Sequence, residues 1–279
     1  MENQEAKNLY LPETVKIKEI KNLSPTAKLF KLKKIKGDFK SNSNGLTFNP
    51  GQFFIAGLWG YGEAPFGGSS NPYHNDYIDI VVRRTGTVTN ALHTLKTNSE
   101  MTIRGPYGNG YPLDFLENKD VVMVTGGCGI PPISSLIEYI IKNRKRFNKV
   151  YLLYGAATPN DLLLKERYPF WRQFIKVLLT VDKASPDWKG HVGWVSSLVN
   201  EIAIDPANTA AIMCGPGPMV SALEQILNPL GISDRRIFIA DERKMQCALG
   251  KCQHCTTGSK YVCFDGPVFH LDQIDKNWD

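Results

Sequence analysis

Four of the six cysteines lie in one short C-terminal segment, at Cys247, Cys252, Cys255 and Cys263. The spacing is Cys-x4-Cys-x2-Cys, followed by a fourth cysteine after a short interval. The first three positions have the plant-type ligand spacing of a [2Fe-2S] cluster. Nearby glycines allow the tight turns that let several thiolates converge on one centre. The segment is therefore predicted to hold a [2Fe-2S] cluster on these four thiolates.

Other uses of clustered cysteines remain open from the spacing. A four-cysteine zinc site also needs converging thiolates, although its pairs usually repeat a Cys-x2–4-Cys spacing. Disulfides are less favoured, because nothing else marks the chain as secreted. A Rieske centre requires two histidine ligands, whereas His254 stands between two cysteines. We interpret His254 as a surface residue or a neighbour of the ligands.

Two glycine-rich turns could bind a nucleotide. Residues 125–132 (TGGCGIPP) lie between a predicted buried strand and a helix. Glycines there let the backbone approach a pyrophosphate, and the helix N-terminus supplies N–H donors. Residues 214–219 (CGPGPM) hold the same position after a later strand, so Cys214 is expected to face the same crevice. The alternative for residues 125–132 is a glycine turn that serves packing only. The alternative for residues 214–219 is an ordinary helix start with proline in its first turn.

A third strand-to-helix turn lies earlier in the chain, at residues 83–90 (RRTGTVTN). Thr89 and the amides after Gly86 could hold a second phosphate group. Arg83 or Arg84 could neutralise that phosphate or contact a flavin ring. A capped helix on a charged strand end is the alternative interpretation.

The elements that must position these turns fall into two classes. Up to about residue 117 the chain alternates apolar and polar residues in short strands with one helix, which predicts a small antiparallel β-barrel. From residue 118 onward, buried β-branched strands alternate with helices, which predicts a doubly wound α/β sheet. Strands are predicted at residues 15–23, 27–35, 53–58, 77–83, 101–104, 121–125, 150–154, 176–181, 210–213 and 236–240; helical segments are predicted at 88–95, 132–142, from about 160, 195–202 and 218–227; residues 60–75 are predicted to be irregular.

The size and composition limit the remaining possibilities. With 279 residues the chain can form two domains and a small appendage, predicted as a leader (1–12), a barrel (13–117), an α/β domain (118–243) and a cluster segment (244–279). No apolar run is long enough to span a membrane, and the polar N-terminus does not have the pattern of a signal peptide, so a cytoplasmic location is expected. The net charge of +6 comes largely from lysines in residues 16–40, which fit the solvated face of strands. No aromatic platform accompanies them, so a nucleic-acid partner is not expected.

Together, residues 86–89, 125–132 and 214–219 and the order barrel then α/β domain resemble the ferredoxin–NADP reductase superfamily. The appended cysteines make the chain similar to its iron–sulfur electron-transfer subunits. These are the B subunit of anaerobic sulfite reductase, the gamma subunit of nickel–iron sulfhydrogenases and the electron-transfer subunit of dihydroorotate dehydrogenase B. The short interval before Cys263 resembles the first of these, and Cys214 before Gly-Pro resembles the second, so the partner complex stays open. The most specific stretches are residues 104–112, 161–166, 242–245, 250–252 and 261–269.

The resemblance implies FAD on the barrel and NAD(P)H in the α/β domain, with Cys214 and Glu242 shaping the nicotinamide pocket. It implies that electrons pass between NAD(P)H and a partner's catalytic and iron–sulfur subunits through FAD and the cluster. The family's Arg-x-Tyr-Ser flavin motif is replaced by residues 64–67 (APFG). A stand-alone reductase and a non-catalytic zinc-bearing assembly module are the alternatives, and the choice between NADH and NADPH is open. The expected flavin contacts are Pro65, Arg83, Gly86, Val88 and Thr89, and the expected nucleotide contacts are Thr125, Gly126, Gly127, Gly129, Ile130, Gly155, Gly215, Pro216 and Met219.

Overall fold

The structure is a computed structural model that describes residues 8–274 and 276. Most of the expected leader, residues 1–7, lies outside the described residues. Its strands are β1 (Glu13–Asn22), β2 (Ala27–Lys34), β3 (Phe53–Leu58), β4 (Gly62–Gly67), β5 (Ile78–Arg83), β6 (Glu100–Tyr107), β7 (Asp120–Gly126), β8 (Val150–Ala156), β9 (Lys176–Val181), β10 (His191–Val192), β11 (Thr209–Cys214), β12 (Ile237–Ala240), β13 (Thr256–Thr257), β14 (Lys260–Tyr261) and β15 (Val268–His270). Its α-helices are α1 (Thr87–Thr94), α2 (Leu113–Leu116), α3 (Ile130–Lys142), α4 (Tyr168–Trp171) and α5 (Gly217–Leu227).

The first six strands form the predicted antiparallel barrel. Their order is β4-β3-β6-β1-β2-β5, and a bridge between Gly68 and Ile80 links the two ends. Along β1, Val15 and Ile17 are buried, whereas Lys16 and Lys18 are exposed. The alternation therefore sends the apolar residues into the barrel and the lysines into solvent.

Seven strands form the second sheet, in the order β10-β9-β8-β7-β11-β12-β15. All neighbouring pairs are parallel except β12 with β15. Val121 and Met123 of β7 pack with α3, whereas Val122 and Val124 pack on the opposite face with α5 and the 3-10 helix Val195–Glu201. A sheet covered on both faces is the doubly wound arrangement that the β-branched runs predict.

The cluster segment contributes an edge strand to this sheet. In β15, Phe269 pairs with Ile239 and Val268 pairs with Ala240, antiparallel to β12. Phe269 and Leu271 are buried in the core on that side. The C-terminal segment is therefore packed onto the α/β domain rather than attached to it by a free linker.

The barrel and the α/β domain meet at a polar interface. Arg167 donates from Nη2 to the Asp79 carboxylate at 2.9 Å and from Nη1 to the Ser69 carbonyl. The Ser134 hydroxyl, at the start of α3, donates to the same Ser69 carbonyl at 2.9 Å. Both Asp79 and Ser134 are buried, so these contacts fix the orientation of the two domains.

Two predictions of local structure are wrong. Residues 60–75 contain β4, which pairs with β3, with Pro65 opposite Ile55; the strand is last in the sheet order, where proline is tolerated. No regular helix begins near residue 160. Two short 3-10 helices, Pro159–Asp161 and Lys165–Arg167, precede α4, because prolines and the left-handed backbone of Leu164 interrupt the turns. Within the described residues, no helix is both long and apolar enough to cross a membrane.

Candidate functional site

A cleft of about 750 Å³ lies where the carboxyl ends of the parallel strands meet the barrel. Open α/β sheets bind ligands at this edge. Arg83, at the end of β5, is the barrel's contribution to the wall. The other lining residues are Gly126, Gly127, Cys128, Gly129, Gly155, Ala156, Ala157, Asp182, Trp194, Val195, Ser196, Gly215, Pro216, Gly217, Pro218, Met219, Ala222, Asp241, Glu242 and Arg243.

The structure brings most of the expected nucleotide contacts together in this cleft. Thr125 and Ile130 are exceptions, since both are buried beneath its floor. The Thr125 hydroxyl donates to the Cys214 carbonyl at 2.8 Å, which joins the two glycine-rich turns. A Cβ at Gly129 would lie 2.0 Å from the same carbonyl oxygen. The close packing of the two turns therefore requires glycine at position 129.

Cys214 and Glu242 differ in their access to the cleft. The Cys214 side chain is fully buried and does not line the wall, and burial raises the pKa of its thiol. Glu242 lines the cleft. Loss of solvation by the surrounding protein raises the pKa of its carboxyl group, and the negative charge of Asp241 raises it further. A neutral buried thiol is a poor nucleophile. The geometry therefore favours Glu242 over Cys214 for direct contact with a bound nucleotide.

Arg83 also makes a contact across the cleft. Its guanidinium lies close enough to the Cys128 thiol on the glycine-rich turn for its positive charge to act on the pKa of that thiol. Burial nevertheless raises the pKa of Cys128, and the Arg83 charge opposes this only in part. Arg83 therefore points toward the α/β domain and the nucleotide cleft.

The turn before α1 is shaped by Thr89. Its hydroxyl accepts hydrogen bonds from the amides of Thr85 and Gly86, each at 2.9 Å, and donates to the Gly86 carbonyl at 3.0 Å. The hydroxyl is therefore occupied in forming the turn, and the first N–H groups of α1 are left to bind an anion. A Cβ at Gly86 would meet no atom within 4 Å, so there is space beside these amides.

The other expected flavin contacts lie on α1, β4 and β5. Val88 lies beside β4, since a Cβ at Gly62 would be 3.6 Å from its Cγ2 atom. Pro65 is half-buried on β4, and Arg83 lies at the other end of the turn. An open helix N-terminus next to a half-exposed strand fits a dinucleotide such as FAD.

Backbone amides surround the cysteine sulfurs of the cluster segment. Cys247 Sγ accepts from the amides of Leu249 and Lys251 at 3.3 Å and of Cys252 at 3.4 Å. Burial alone would raise the pKa of Cys247, but these hydrogen bonds lower it to about 6. The segment thus favours a thiolate at Cys247 before any metal is bound, which is the form that iron requires.

The four cysteines form two pairs. The backbone amide of Cys252 donates to Cys247 Sγ at 3.4 Å, and the amide of Cys263 donates to Cys255 Sγ at 3.5 Å. Burial first, and then the neighbouring Cys255, raises the pKa of Cys263 to about 12. All six cysteines are free thiols. Within the described part of the chain, no three His, Cys, Asp or Glu side chains are arranged around one position for a single metal ion.

Arg104 attaches the cluster segment to the barrel. Its guanidinium donates to the carbonyl of Gln246 at 2.8 Å and of Cys247 at 2.9 Å. The same group forms an ion pair with Glu63 of β4 and is almost completely buried. It also donates to the Tyr107 hydroxyl, which in turn donates to the Leu9 carbonyl at 2.6 Å. The first cysteine is therefore held to the two strands β4 and β6.

Asn109 makes a second attachment just after β6. Its side-chain amide donates to the carbonyls of Asp265 and Val268, and its Oδ1 accepts from the Val268 amide at 3.2 Å. These bonds hold the chain immediately after Cys263. Residues at the end of β6 and just after it therefore hold the cluster segment at two points.

Sequence reasoning missed Arg104 and Glu63 as positioning residues, and it missed Asp182 and Trp194 in the cleft. An arginine at an inward-facing position of a strand was an available signal, because a buried guanidinium needs an anionic partner. No comparable signal marked Asp182, because its place in the cleft depends on the order of the strands in the sheet.

Three protein-family models match the chain in the order of its parts. They are the oxidoreductase FAD-binding domain over residues 14–111, the oxidoreductase NAD-binding domain over 123–225, and the iron–sulfur cluster binding domain of dihydroorotate dehydrogenase B over 242–275. The cofactors expected at the barrel, the cleft and the cysteine segment are therefore FAD, a nicotinamide nucleotide and an iron–sulfur cluster.

Curated relatives match nearly the whole chain. The sulfhydrogenase 2 gamma subunit of Pyrococcus furiosus is 34% identical, covering 94% of this chain and 96% of the relative. The sulfhydrogenase 1 gamma subunit of the same organism is 32% identical, covering 94% and 91%. A probable dihydroorotate dehydrogenase B electron-transfer subunit of Thermococcus kodakarensis is 33% identical, covering 85% and 90%.

Solved structures show the same fold at low identity. An NADH-dependent reduced ferredoxin–NADP oxidoreductase superposes with a TM-score of 0.72 at 22% identity, covering 95% of this chain and 90% of the other. A ferredoxin–NADP+ reductase from Neisseria gonorrhoeae gives 0.68 at 21% identity, covering 84% and 98%. The chain therefore belongs to the ferredoxin–NADP reductase-like family, among its electron-transfer subunits with the iron–sulfur domain of dihydroorotate dehydrogenase B.

Proposed function

We propose that this chain transfers electrons between NAD(P)H and the catalytic and iron–sulfur subunits of a redox complex, through FAD and a [2Fe-2S] cluster. One observation supports the proposal most directly: the same β-barrel contributes residues to the nucleotide cleft, to the flavin space and to the cluster segment. Arg83 lines the nucleotide cleft, β4 and α1 flank the space for a flavin, and Arg104 holds Cys247.

The pairing of the cysteines supports a [2Fe-2S] cluster over zinc. Such a cluster has four cysteine ligands, two for each of its irons. The amide-to-sulfur contacts link Cys247 with Cys252 and Cys255 with Cys263, which fits two ligand pairs of this kind. A structural zinc ion would instead draw all four thiolates into one tetrahedron.

The residues of the chain would bind and orient the cofactors, and the cofactors would supply the chemistry: FAD would accept a hydride, and an iron–sulfur centre would carry electrons singly. The glycine-rich turns let the backbone approach the nucleotide at the carboxyl edge of the sheet. Burial keeps the Cys214 thiol neutral, so it does not compete as a nucleophile. The amides around Cys247 stabilise its thiolate. No side chain is required as a proton donor or acceptor.

The partner we propose is a hydrogenase-type catalytic subunit. The two sulfhydrogenase gamma subunits match this chain over 94% of its length, and the Cys-Gly-Pro sequence that begins at Cys214 also resembles those subunits. Cytoplasmic residence agrees with this proposal, because thiols stay reduced there and are available for cluster assembly. A stand-alone reductase would instead use a free electron carrier. Native purification distinguishes the two proposals, because a subunit should co-elute with a larger metal-containing partner and a stand-alone reductase should not.

The test uses the full chain, reconstituted anaerobically with FAD, iron and sulfide. We expect flavin and iron–sulfur absorption bands, two irons per chain, bleaching of the flavin by NADH or NADPH, and then the electron paramagnetic resonance (EPR) signal of a reduced cluster. A colourless protein that binds one zinc would overturn the proposal in favour of an assembly module. Flavin bleaching without any cluster signal would limit the chain to a flavin reductase.

A further inference from the structure

A basic surface lies at the amino edge of the parallel sheet, opposite the nucleotide cleft. Residues 142–149 (KNRKRFNK) lead into β8, and residues 170–176 (FWRQFIK) lead into β9. The first stretch contains five Lys or Arg residues and the second contains two, and neither contains Asp or Glu. Together these two stretches form the amino-edge surface. Since β8 has seven residues, this surface is about 20 Å from the carboxyl edge of the sheet.

Two phenylalanine rings are exposed on the amino-edge surface. Phe170 is 45% exposed and Phe174 is 37% exposed. Their ring centroids are 5.2 Å apart, and the ring planes are inclined by 65°. An exposed aromatic pair within a charged surface is typical of a protein-binding site.

Contacts between the two stretches hold cations beside the rings. Arg144 donates from Nε to the Phe174 carbonyl at 2.9 Å and from Nη1 to the Phe147 carbonyl at 2.7 Å. Tyr151 is paired with Lys176 in the parallel register of β8 and β9. The same register, carried back by two residues, puts Lys149 beside Phe174. The two stretches therefore form one continuous surface.

The positive charge of this surface is largely uncompensated. Glu117 pairs with Arg146, and Glu138 accepts a hydrogen bond from the Trp171 indole at 2.9 Å. Four exposed cations form no ion pair with the other described residues: Lys142, Lys145, Lys149 and Arg172. A surface with this charge attracts an acidic partner and repels a basic one.

The geometry of the rings favours a protein over a nucleic acid as the occupant. Nucleic-acid bases stack on flat ring faces that are open to solvent. Phe170 and Phe174 instead meet edge to face, so each ring covers part of the other. An apolar side chain on an acidic protein surface could pack on this ring pair while its neighbours pair with the cations.

We propose that the amino-edge surface docks an acidic protein surface of the partner subunit, with Phe170 and Phe174 as the apolar anchors. The inference rests on the proposed function, in which this chain is one subunit of a redox complex, and it specifies the chemistry of the contact. Docking at the amino edge leaves the nucleotide cleft, at the opposite edge of the sheet, open to NAD(P)H while the complex is assembled.

The test begins with the tagged full-length chain purified from its native cells. We expect the wild type to co-elute with a metal-containing partner. The double variant Phe170→Ala/Phe174→Ala should retain less than about a tenth of that partner, because both anchors are truncated. Leu230→Ala is the matched control and should retain the partner, since Leu230 is 44% exposed but lies between α5 and β12, away from the amino-edge surface.

Binding kinetics with the purified partner separate the rings from the charges. We expect the double alanine variant to dissociate about tenfold faster or more, because loss of an interface aromatic weakens the bound state. Lys145→Glu/Arg172→Glu should instead lower the association rate about tenfold at low salt, and this difference should largely vanish at about 0.5 M salt. The control Lys16→Glu/Lys33→Glu, on the exposed face of β1 and β2, should change neither rate by more than about twofold.

Three results would overturn the inference. They are wild-type dissociation in the double alanine variant, elution of the wild-type chain without any partner, and binding of a DNA or RNA of about 20 nucleotides that this variant abolishes while partner binding is unchanged. Flavin bleaching and the cluster EPR signal of the isolated, reconstituted chain test the proposed function separately, since neither needs the partner, and both should be unchanged in every variant above. Their absence in the wild type would count against the proposed electron path and leave the docking measurement standing.

Discussion

Arg104 Nη1 donates to the carbonyl oxygen of Cys247 at 2.9 Å, although the two residues are 143 positions apart in the chain. The guanidinium is 4% exposed and is shared with Glu63 of β4. The residue that carries the first thiolate is therefore bonded directly to the barrel. Movement of the cluster segment against the flavin site would break a buried, charge-assisted network.

Replacing Arg104 by methionine should loosen this attachment. The carbonyls of Gln246 and Cys247 would lose their donor, and Glu63 would lose its cation. We expect a loss of about 3 kcal/mol in unfolding free energy, measured by urea denaturation of the flavin- and iron-free chain. After reconstitution we expect a broadened EPR signal, because the cluster would occupy several environments.

The exposed Arg172 of the α/β domain provides the control for this experiment, and Arg172→Met should leave both measurements unchanged. Arg104→Lys should recover part of the stability but not the bidentate contact with Glu63. Wild-type stability and EPR line width in Arg104→Met would refute the positioning role.

Cys252→Ser should remove the iron–sulfur cluster and leave reduction of the flavin by the nucleotide intact. A hydroxyl is a poor ligand for an iron–sulfur centre, so we expect iron content and the cluster EPR signal to fall to near background. Flavin bleaching by the nucleotide should stay within about twofold of wild type, because the cofactor performs that step. Ser259→Ala, exposed in the same segment, should change neither quantity. Parallel loss of flavin reduction would argue against this order of carriers.

Gly129→Ala should damage the cleft through a backbone contact. The added Cβ would lie 2.0 Å from the Cys214 carbonyl oxygen, so the two glycine-rich turns must move apart. We expect about 1–3 kcal/mol of destabilisation and an increase in the nucleotide's apparent Kd. Gly86→Ala adds a Cβ that meets no atom within 4 Å, so the Tm of the flavin-free chain should stay as in wild type. Unchanged nucleotide affinity in Gly129→Ala would contradict the packing argument.

Arg167→Met tests the interface between the two domains. The Arg167 and Asp79 side chains are 18% and 6% exposed, so the variant leaves a buried carboxylate without its cation. We expect a loss of about 3 kcal/mol near neutral pH. The matched surface variant Arg235→Met breaks an exposed pair with Asp272 and should cost less than about 1 kcal/mol.

The cost of Arg167→Met should depend on pH. Burial raises the pKa of Asp79 in the folded protein, and Arg167 opposes this only in part. The folded state then binds the Asp79 proton more tightly than the unfolded state, so this group's contribution to stability falls as pH rises through the folded pKa. Removing Arg167 raises that pKa further. The difference in Tm between variant and wild type should therefore be smaller at about pH 5 than at about pH 8, and a constant difference would contradict the assignment.

The barrel and the α/β sheet could be predicted because their signals are local. Lysines that alternate with apolar residues in β1 indicate one solvated face, and the apolar run of β7 indicates a strand covered on both faces. The cysteine spacing likewise indicates a cluster without knowledge of the fold. By contrast, β4 was hidden because its glycines and Pro65 are typical of loops, and only pairing with β3 stabilises the strand.

The positioning residues could not be predicted from local signals. Arg104 acts on a carbonyl 143 residues away. Asp182 lies in the cleft only because β9 is placed beside β8 and β7 in the sheet. Periodicity contains neither kind of information. The hydroxyl of Thr89 shows the opposite case, since a residue expected to hold a phosphate is engaged in shaping its own turn.

The pairing of β15 with β12 has a consequence for biogenesis. Without β15, the parallel sheet would end in β12, a fully buried apolar strand with open backbone donors and acceptors. Such an edge invites pairing with other chains. Detachment of β15 would therefore expose an aggregation-prone edge, so the C-terminal segment protects the α/β sheet as well as carrying the cysteines.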